Sequence, residues 1–130
     1  MKFTVVIPCY QSTKALDNLV ADILCQYNEA CHEIILVQDG PDAKTSVRLQ
    51  NIASSSAVIR VIQLEQSAGQ HQATLCRLQH ADSLVAAVTM DDDGQVLAQE
   101  IEKLLNKANQ TGADITYGLY KERYHKGLRR

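Results

Sequence analysis

Short apolar runs alternate with amphipathic stretches along most of the chain, and polar turns separate them. Residues 3–7 (Phe-Thr-Val-Val-Ile) form a β-branched run that Pro8 should stop, which predicts a first strand. Ser12 or Thr13 then offers an N-cap. Beyond it Leu16, Leu19, Val20, Ile23, Leu24 and Tyr27 recur at helical spacing and trace one face. Residues 33–37 (Glu-Ile-Ile-Leu-Val) predict a second strand, ended by the dense turn signal Gln38-Asp39-Gly40-Pro41-Asp42. Val47, Leu49 and Ile52 support a helix over residues 43–53, which the run Ser54-Ser55-Ser56 breaks. Residues 58–64 read as a third strand, 67–69 as a loop and 70–80 as a helix.

Residues 84–90 predict a fourth strand, whose apolar residues 84–88 read as buried on both faces. Gly94 is expected to open the next helix, over residues 96–109, with Ile101, Leu104, Leu105 and Ala108 as its stripe and Gly112 as its end. A fifth strand is expected over residues 114–119. Strand and helix in repeated alternation imply parallel βαβ units with right-handed crossovers, hence one α/β layer sandwich.

The chain has 130 residues, one domain's worth, and 45% of them are hydrophobic, which suits a packed core rather than disorder. A formal net charge of −2 argues against a strongly basic nucleic-acid binder, so no nucleic-acid partner is expected. The charge is uneven: residues 121–130 hold five Lys or Arg against one Glu, or +4, which leaves −6 for residues 1–120. That basic segment is either a solvated face or a steering patch for phosphate or anionic lipid. No apolar run approaches the roughly 18 residues needed to cross a bilayer. Cys9, Cys25, Cys31 and Cys76 are irregularly spaced, which favours free thiols in a reducing cytosol over disulfides or zinc. No metal is expected at the one Cys/His neighbour pair, Cys31-His32.

In a parallel sheet the strand ends collect at one edge, and here they carry Pro8-Cys9-Tyr10-Gln11, Gln38-Asp39-Gly40, residues 66–70 and Asp91-Asp92-Asp93. Such a rim is where open α/β sheets bind ligands. Neither G-x-G-x-x-G nor G-x-x-x-x-G-K-[ST] occurs, which disfavours classical dinucleotide and P-loop chemistry. Three adjacent carboxylates repel one another and are costly to desolvate, so a divalent cation is the expected compensation. The alternatives are that Asp92 or Asp93 caps the following helix, and that Asp39-Gly40 is only a turn. A response-regulator domain is ranked low, because its acidic residues would follow the first strand, where this chain has none.

Four segments in order resemble a known family: Val5-Val6-Ile7-Pro8-Cys9-Tyr10, Ile34-Ile35-Leu36-Val37-Gln38-Asp39-Gly40, Gly69-Gln70-His71 and Met90-Asp91-Asp92-Asp93-Gly94-Gln95. Together they are similar to the nucleotide-binding half of a family 2 glycosyltransferase with the GT-A fold, closest to the polyprenyl-phosphate, dolichyl-phosphate mannosyltransferase type. The resemblance implies a Rossmann-like three-layer sandwich with a mostly parallel sheet, forming one nucleotide-sugar-binding domain over residues 1–130. The implied donor is a UDP- or GDP-sugar, transferred with inversion to an acceptor such as a polyprenyl phosphate, in cell-wall or lipid-linked glycan synthesis. Pro8 and Tyr10 would shape the nucleoside wall, and Asp39 would accept the ring N–H of the base. Gly69 and Gln70 would line the base and ribose pocket. Asp91 and Asp93 would be the catalytic carboxylates of the Asp-x-Asp motif, holding Mg²⁺ or Mn²⁺ with Gln95 while Asp91 also meets the nucleotide.

The chain departs from the family pattern at Gln38 and Pro41, at Asp92 (commonly Ala), at Gly94 (commonly Leu) and at Tyr120, where an Arg often meets phosphate. No persuasive general base is visible, and the chain stops at Arg130, near where the acceptor half of the family begins, so it reads as truncated. The expectation is therefore a cytoplasmic enzyme domain, at the cytoplasmic membrane face in the full-length protein, whose activity as 130 residues alone is doubtful. The rival reading is a nucleotide-sugar-binding module without transfer activity. An uncovered sheet edge would also offer a homodimer contact.

Overall fold

A computed structural model describes residues 2–65, 86–113, 116 and 118. The expected helix over 70–80, loop 67–69, fifth strand and basic segment, with Gly69, Gln70 and His71, lie outside those residues or nearly so. The elements are β1 (Phe3–Cys9), α1 (Lys14–Gln26), β2 (Cys31–Gln38), α2 (Ala43–Ala53), β3 (Ile59–Gln63), β4 (Ala86–Thr89) and α3 (Glu100–Thr111). The described strands form one sheet of order β3-β2-β1-β4, and every pairing is parallel.

β1 and β2 carry the core because the apolar run on each has no polar alternation. Val5, Val6, Ile7, Ile34, Ile35, Leu36 and Val37 are all fully buried, so both faces of these inner strands are covered. On one face Val6, Ile35 and Val37 pack with Ile62 and Leu64. On the other, the Phe3 ring meets Tyr27 edge-on, with centroids 5.3 Å apart at 85°. That contact brings the end of α1 to the Phe3 face. Ser46 Oγ donates to Gln38 Oε1 at 2.9 Å, which brings α2 to the same face. An Arg48–Asp17 ion pair at 2.7 Å then joins the two helices.

β1 runs through Pro8 rather than stopping before it, because of where the missing N–H points. Val6 accepts from Met90 N at 3.0 Å and Cys9 accepts from Asp39 N at 3.0 Å. Alternate residues therefore face β4 and β2, and Pro8 faces the β4 side, beyond the last β1–β4 partners, Val6 and Thr89. No ladder bond is lost there. β4 also differs from expectation. It is the outer strand among the described residues, with Ala87 and Thr89 exposed and Val88 buried, so it is not covered on both faces.

The helix expected from residue 96 begins at Glu100. The intervening segment is tied down otherwise: Ala98 is buried and its carbonyl accepts from Tyr27 Oη at 2.9 Å. Gly94, expected to open that helix, has φ +76 and lies in a turn instead. Contacts divide the chain into Met1–Gln99 and Glu100–Arg130. In the second unit Ile101 is buried and Leu104, Leu105 and Ala108 are half-buried, as the stripe required. Gly112, with φ +68, closes α3 by donating its N–H to Ala108 O at 2.9 Å. Among the described residues no helix is long and apolar enough to cross a membrane.

Thr4 lies fully buried in β1 with its Oγ1 unpartnered. A buried hydroxyl without a partner costs about 1–3 kcal/mol, and Val has nearly the same shape. Thr4→Val should therefore raise the melting temperature by a few degrees in a thermal denaturation scan. A fall would show that the hydroxyl is satisfied.

Candidate functional site

Chain order reverses between β1 and β4: the chain steps from β1 outward through β2 to β3, then returns to the far side of β1. Such a switch point splays the loops that follow its two strands and opens a crevice at their C-terminal ends. The loops after β1, β2 and β4 meet this edge. A cleft of about 170 Å³ lies over the ends of β1 and β2, with Tyr10, Gln11, Asp39, Gly40, Pro41 and Thr45 among its lining. Its volume lies below that of a typical small-molecule site.

The β2–α2 loop holds its shape through a residue assigned no role from sequence. Gln38 is 2% exposed. Its Nε2 donates to Gly40 O at 3.0 Å and to Asp42 O at 3.2 Å, and its Oε1 accepts from Ser46 Oγ at 2.9 Å. Both amide protons and the carbonyl are engaged within the protein, so Gln38 acts as a clamp on the loop. Gly40 takes φ +91, as the turn signal required. Asp42 is the N-cap residue of α2, where its carboxylate accepts from Thr45 Oγ1 instead of capping a backbone amide. Asp39, held between these elements, is nearly buried and lines the cleft.

Gln38→Leu would leave two loop carbonyls and a hydroxyl without partners. At about 1 kcal/mol per lost bond it should destabilise by about 2–3 kcal/mol. Chemical denaturation should show that loss, together with weaker ligand binding at the cleft.

After β1, Tyr10 is 61% exposed at the cleft, and Gln11 takes φ +49, a strained conformation for a side-chain-bearing residue. Pro8 does not line the cleft; it is buried in β1. Thr13 proves to be the cap of α1, with Oγ1 accepting from Ala15 N at 3.3 Å. Ser12 has a different partner. Its Oγ donates to Asp92 Oδ2 at 2.6 Å, and Tyr10 N donates to the same oxygen at 3.3 Å.

The aspartate triplet is therefore not three equivalent anions. Asp92 is half-buried and served by two donors, while Asp91 and Asp93 are exposed. Two donors therefore compensate the middle carboxylate from within the protein, so the three differ in what they have left to offer a cation. Neither Asp92 nor Asp93 caps a helix, since α3 starts later. Asp93 Oδ1 instead accepts from Gln95 N at 3.0 Å in a tight turn. Gly94 completes that turn. A Cβ there would sit 3.4 Å from Ala15 Cβ, so glycine supplies a required conformation rather than flexibility beside the motif.

Elsewhere, burial and then the charge of Glu33 push the Cys31 thiol up to about 11. It is protonated at neutral pH and offers neither a nucleophile nor a ready metal ligand.

A family model described as Glycosyl transferase family 2 matches residues 4–130. A dolichol-phosphate mannosyltransferase of Pyrococcus furiosus is 32% identical over 127 residues, covering 98% of this chain and 34% of that protein. A protein of Mycobacterium tuberculosis named among putative glycosyltransferases is 37% identical over 95 residues, covering 70% of this chain and 26% of its own length. The chain thus spans about a quarter to a third of these relatives. Among solved structures, a Pyrobaculum calidifontis mannosyltransferase in complex with GDP-Man and Mn²⁺ aligns with TM-score 0.61 at 18% identity, over 71% of this chain and 27% of that one. TarS of S. aureus in complex with UDP-GlcNAc aligns with TM-score 0.67 at 20% identity, over 88% and 33%. These likenesses show the expected α/β, GT-A fold.

Proposed function

Since this chain belongs to glycosyl transferase family 2, we propose that it supplies the donor-nucleotide side of a transferase that moves a sugar from a nucleoside diphosphate to an acceptor. The observation that carries this reading is the meeting of three loops at the β1/β4 switch point, one bringing Asp39 and another the aspartate triplet. Asp39 would accept the ring N–H of uracil or guanine. Gln38 cannot share that task, since its amide is engaged on the β2–α2 loop. The exposed Tyr10 ring would pack on the nucleoside. Gly69 and Gln70 belong to the proposed pocket through the family resemblance alone.

Asp91, Asp93 and Gln95 would hold a Mg²⁺ or Mn²⁺ ion. The fit is chemical: two exposed carboxylates and an exposed amide within five residues are hard oxygen donors. Among the described residues no group of three His, Cys, Asp or Glu could hold a metal. A cation here would thus draw further oxygens from water and the substrate diphosphate, as Mg²⁺ sites commonly do. When bound, it would neutralise the charge that gathers on the leaving diphosphate.

Attack on the anomeric carbon from the face opposite the diphosphate would invert the centre. The likeness to the P. furiosus protein favours a polyprenyl-phosphate acceptor. Such an acceptor is already anionic, so positioning does most of the work and no strong base is needed.

The test is calorimetric titration of UDP and GDP, and of their sugar conjugates, with and without Mn²⁺. Binding of one base class that strengthens with Mn²⁺ supports the reading. Binding of neither nucleotide in either condition rejects it.

A further inference from the structure

Asp92 stands in the middle of the acidic triplet, yet its carboxylate is already engaged. Ser12 Oγ lies 2.6 Å from Oδ2, within the range of a charge-assisted O–H···O⁻ bond, and Tyr10 N adds a second donor at 3.3 Å. The two donors converge on one oxygen from either side of Gln11, whose φ of +49 makes the chain turn between them. Ser12 is available for this because Thr13 performs the capping of α1. The contact spans 80 residues of sequence and joins the loop after β1 to the loop after β4, across the switch point.

We propose that Asp92 is a positioning residue: it latches the loop of residues 91–95 onto the β1–α1 loop and thereby aims Asp91 and Asp93 outward. Successive side chains on a tight loop diverge, so holding the middle one inward leaves its neighbours facing solvent, and both are exposed. The turn is fixed at its other end by the bond from Gln95 N to Asp93 Oδ1 and by the left-handed Gly94. The aiming role rests on the cation site proposed above; the latch itself does not.

The substitution series separates a latch from a third cation ligand. Both donors use one oxygen, so the amide of Asp92→Asn can keep both bonds while losing the charge. Asp92→Ala removes both bonds. Three quantities are read on the purified protein: exchange of the Tyr10 amide by NMR, Mn²⁺ affinity in the presence of UDP or GDP, and the melting temperature.

Asp92→Ala should speed Tyr10 exchange and weaken Mn²⁺ affinity, each by about tenfold, as loss of a residue that orients ligands does. Asp92→Asn should restore both to within about threefold, and Ser12→Ala should fall between the two. Ser12→Ala combined with Asp92→Ala should be no worse than Asp92→Ala alone, since the two share one interaction. If Asp92→Ala does not fold, Ser12→Ala and Asp92→Asn carry the comparison.

Asp92→Asn losing Mn²⁺ affinity as deeply as Asp93→Asn would overturn the proposal, because charge rather than geometry would then matter. Parent-like Tyr10 exchange and Mn²⁺ affinity in Asp92→Ala would overturn it too. Should Asp91→Asn and Asp93→Asn leave metal-dependent nucleotide binding intact while Asp92→Ala still frees the Tyr10 amide, the latch is upheld and the cation site is what fails.

Discussion

Asp93→Asn should weaken Mn²⁺-dependent nucleotide binding by about 100-fold, since even residues that merely orient metal ligands cost 10- to 100-fold when lost. The substitution is nearly isosteric. Its amide oxygen can still accept from Gln95 N, so the turn should survive and the loss should report the missing charge. Asp91→Asn should behave in the same way. Calorimetry with UDP and GDP reads the effect, and EDTA should bring the parent protein down to the level of the variants. Unchanged thermal melting would confirm that the fold is intact. A variant that binds with parental affinity and parental metal dependence would remove these carboxylates from the site.

The largest expected loss of stability follows from Ile35→Ala. Ile35 is fully buried in β2, packed with Val6 and Val37 under Ile62 and Leu64. Removing its branched side chain forfeits both transfer free energy and close contacts, about 2–5 kcal/mol for such a core site. The melting temperature should fall by on the order of 10 °C. Val47→Ala is the control: that side chain is 61% exposed, and its truncation should change stability by less than about 0.5 kcal/mol. Near-normal melting of Ile35→Ala would mean that β2 is not the centre of the core. Because Asp39 hangs from the end of the same strand, the variant should also bind nucleotide less well.

The two helices nearest the site were legible because their residues repeat at helical spacing. Residues 43–53 coincide with α2, and Leu16, Leu19, Val20 and Ile23 are the buried face of α1. The strand order and the switch point were not legible, although the alternation predicted the parallel units. Nothing local in Pro8 reveals that its missing donor points away from β2. Periodicity likewise could not foresee that Tyr27 would take the carbonyl of Ala98, or that α3 would begin only at Glu100.

At the site, the residue types were readable and their division of labour was not. Three adjacent aspartates look alike in a sequence, and Asp92 is distinguished from its neighbours by a serine 80 positions away. Gln38 carried a usable signal in hindsight. A glutamine that ends an apolar strand before Asp-Gly-Pro-Asp has loop carbonyls within reach of its amide, and Ser46 supplies the remaining donor.

Pro8 also acts as a spacer. Any other amino acid there would present a hydrogen-bond donor toward the continuation of β4, inviting the two backbones to zip further and narrow the gap between their loops. A ring in place of that proton keeps the parting permanent, so the gap between the two loops is built into the covalent structure of the chain.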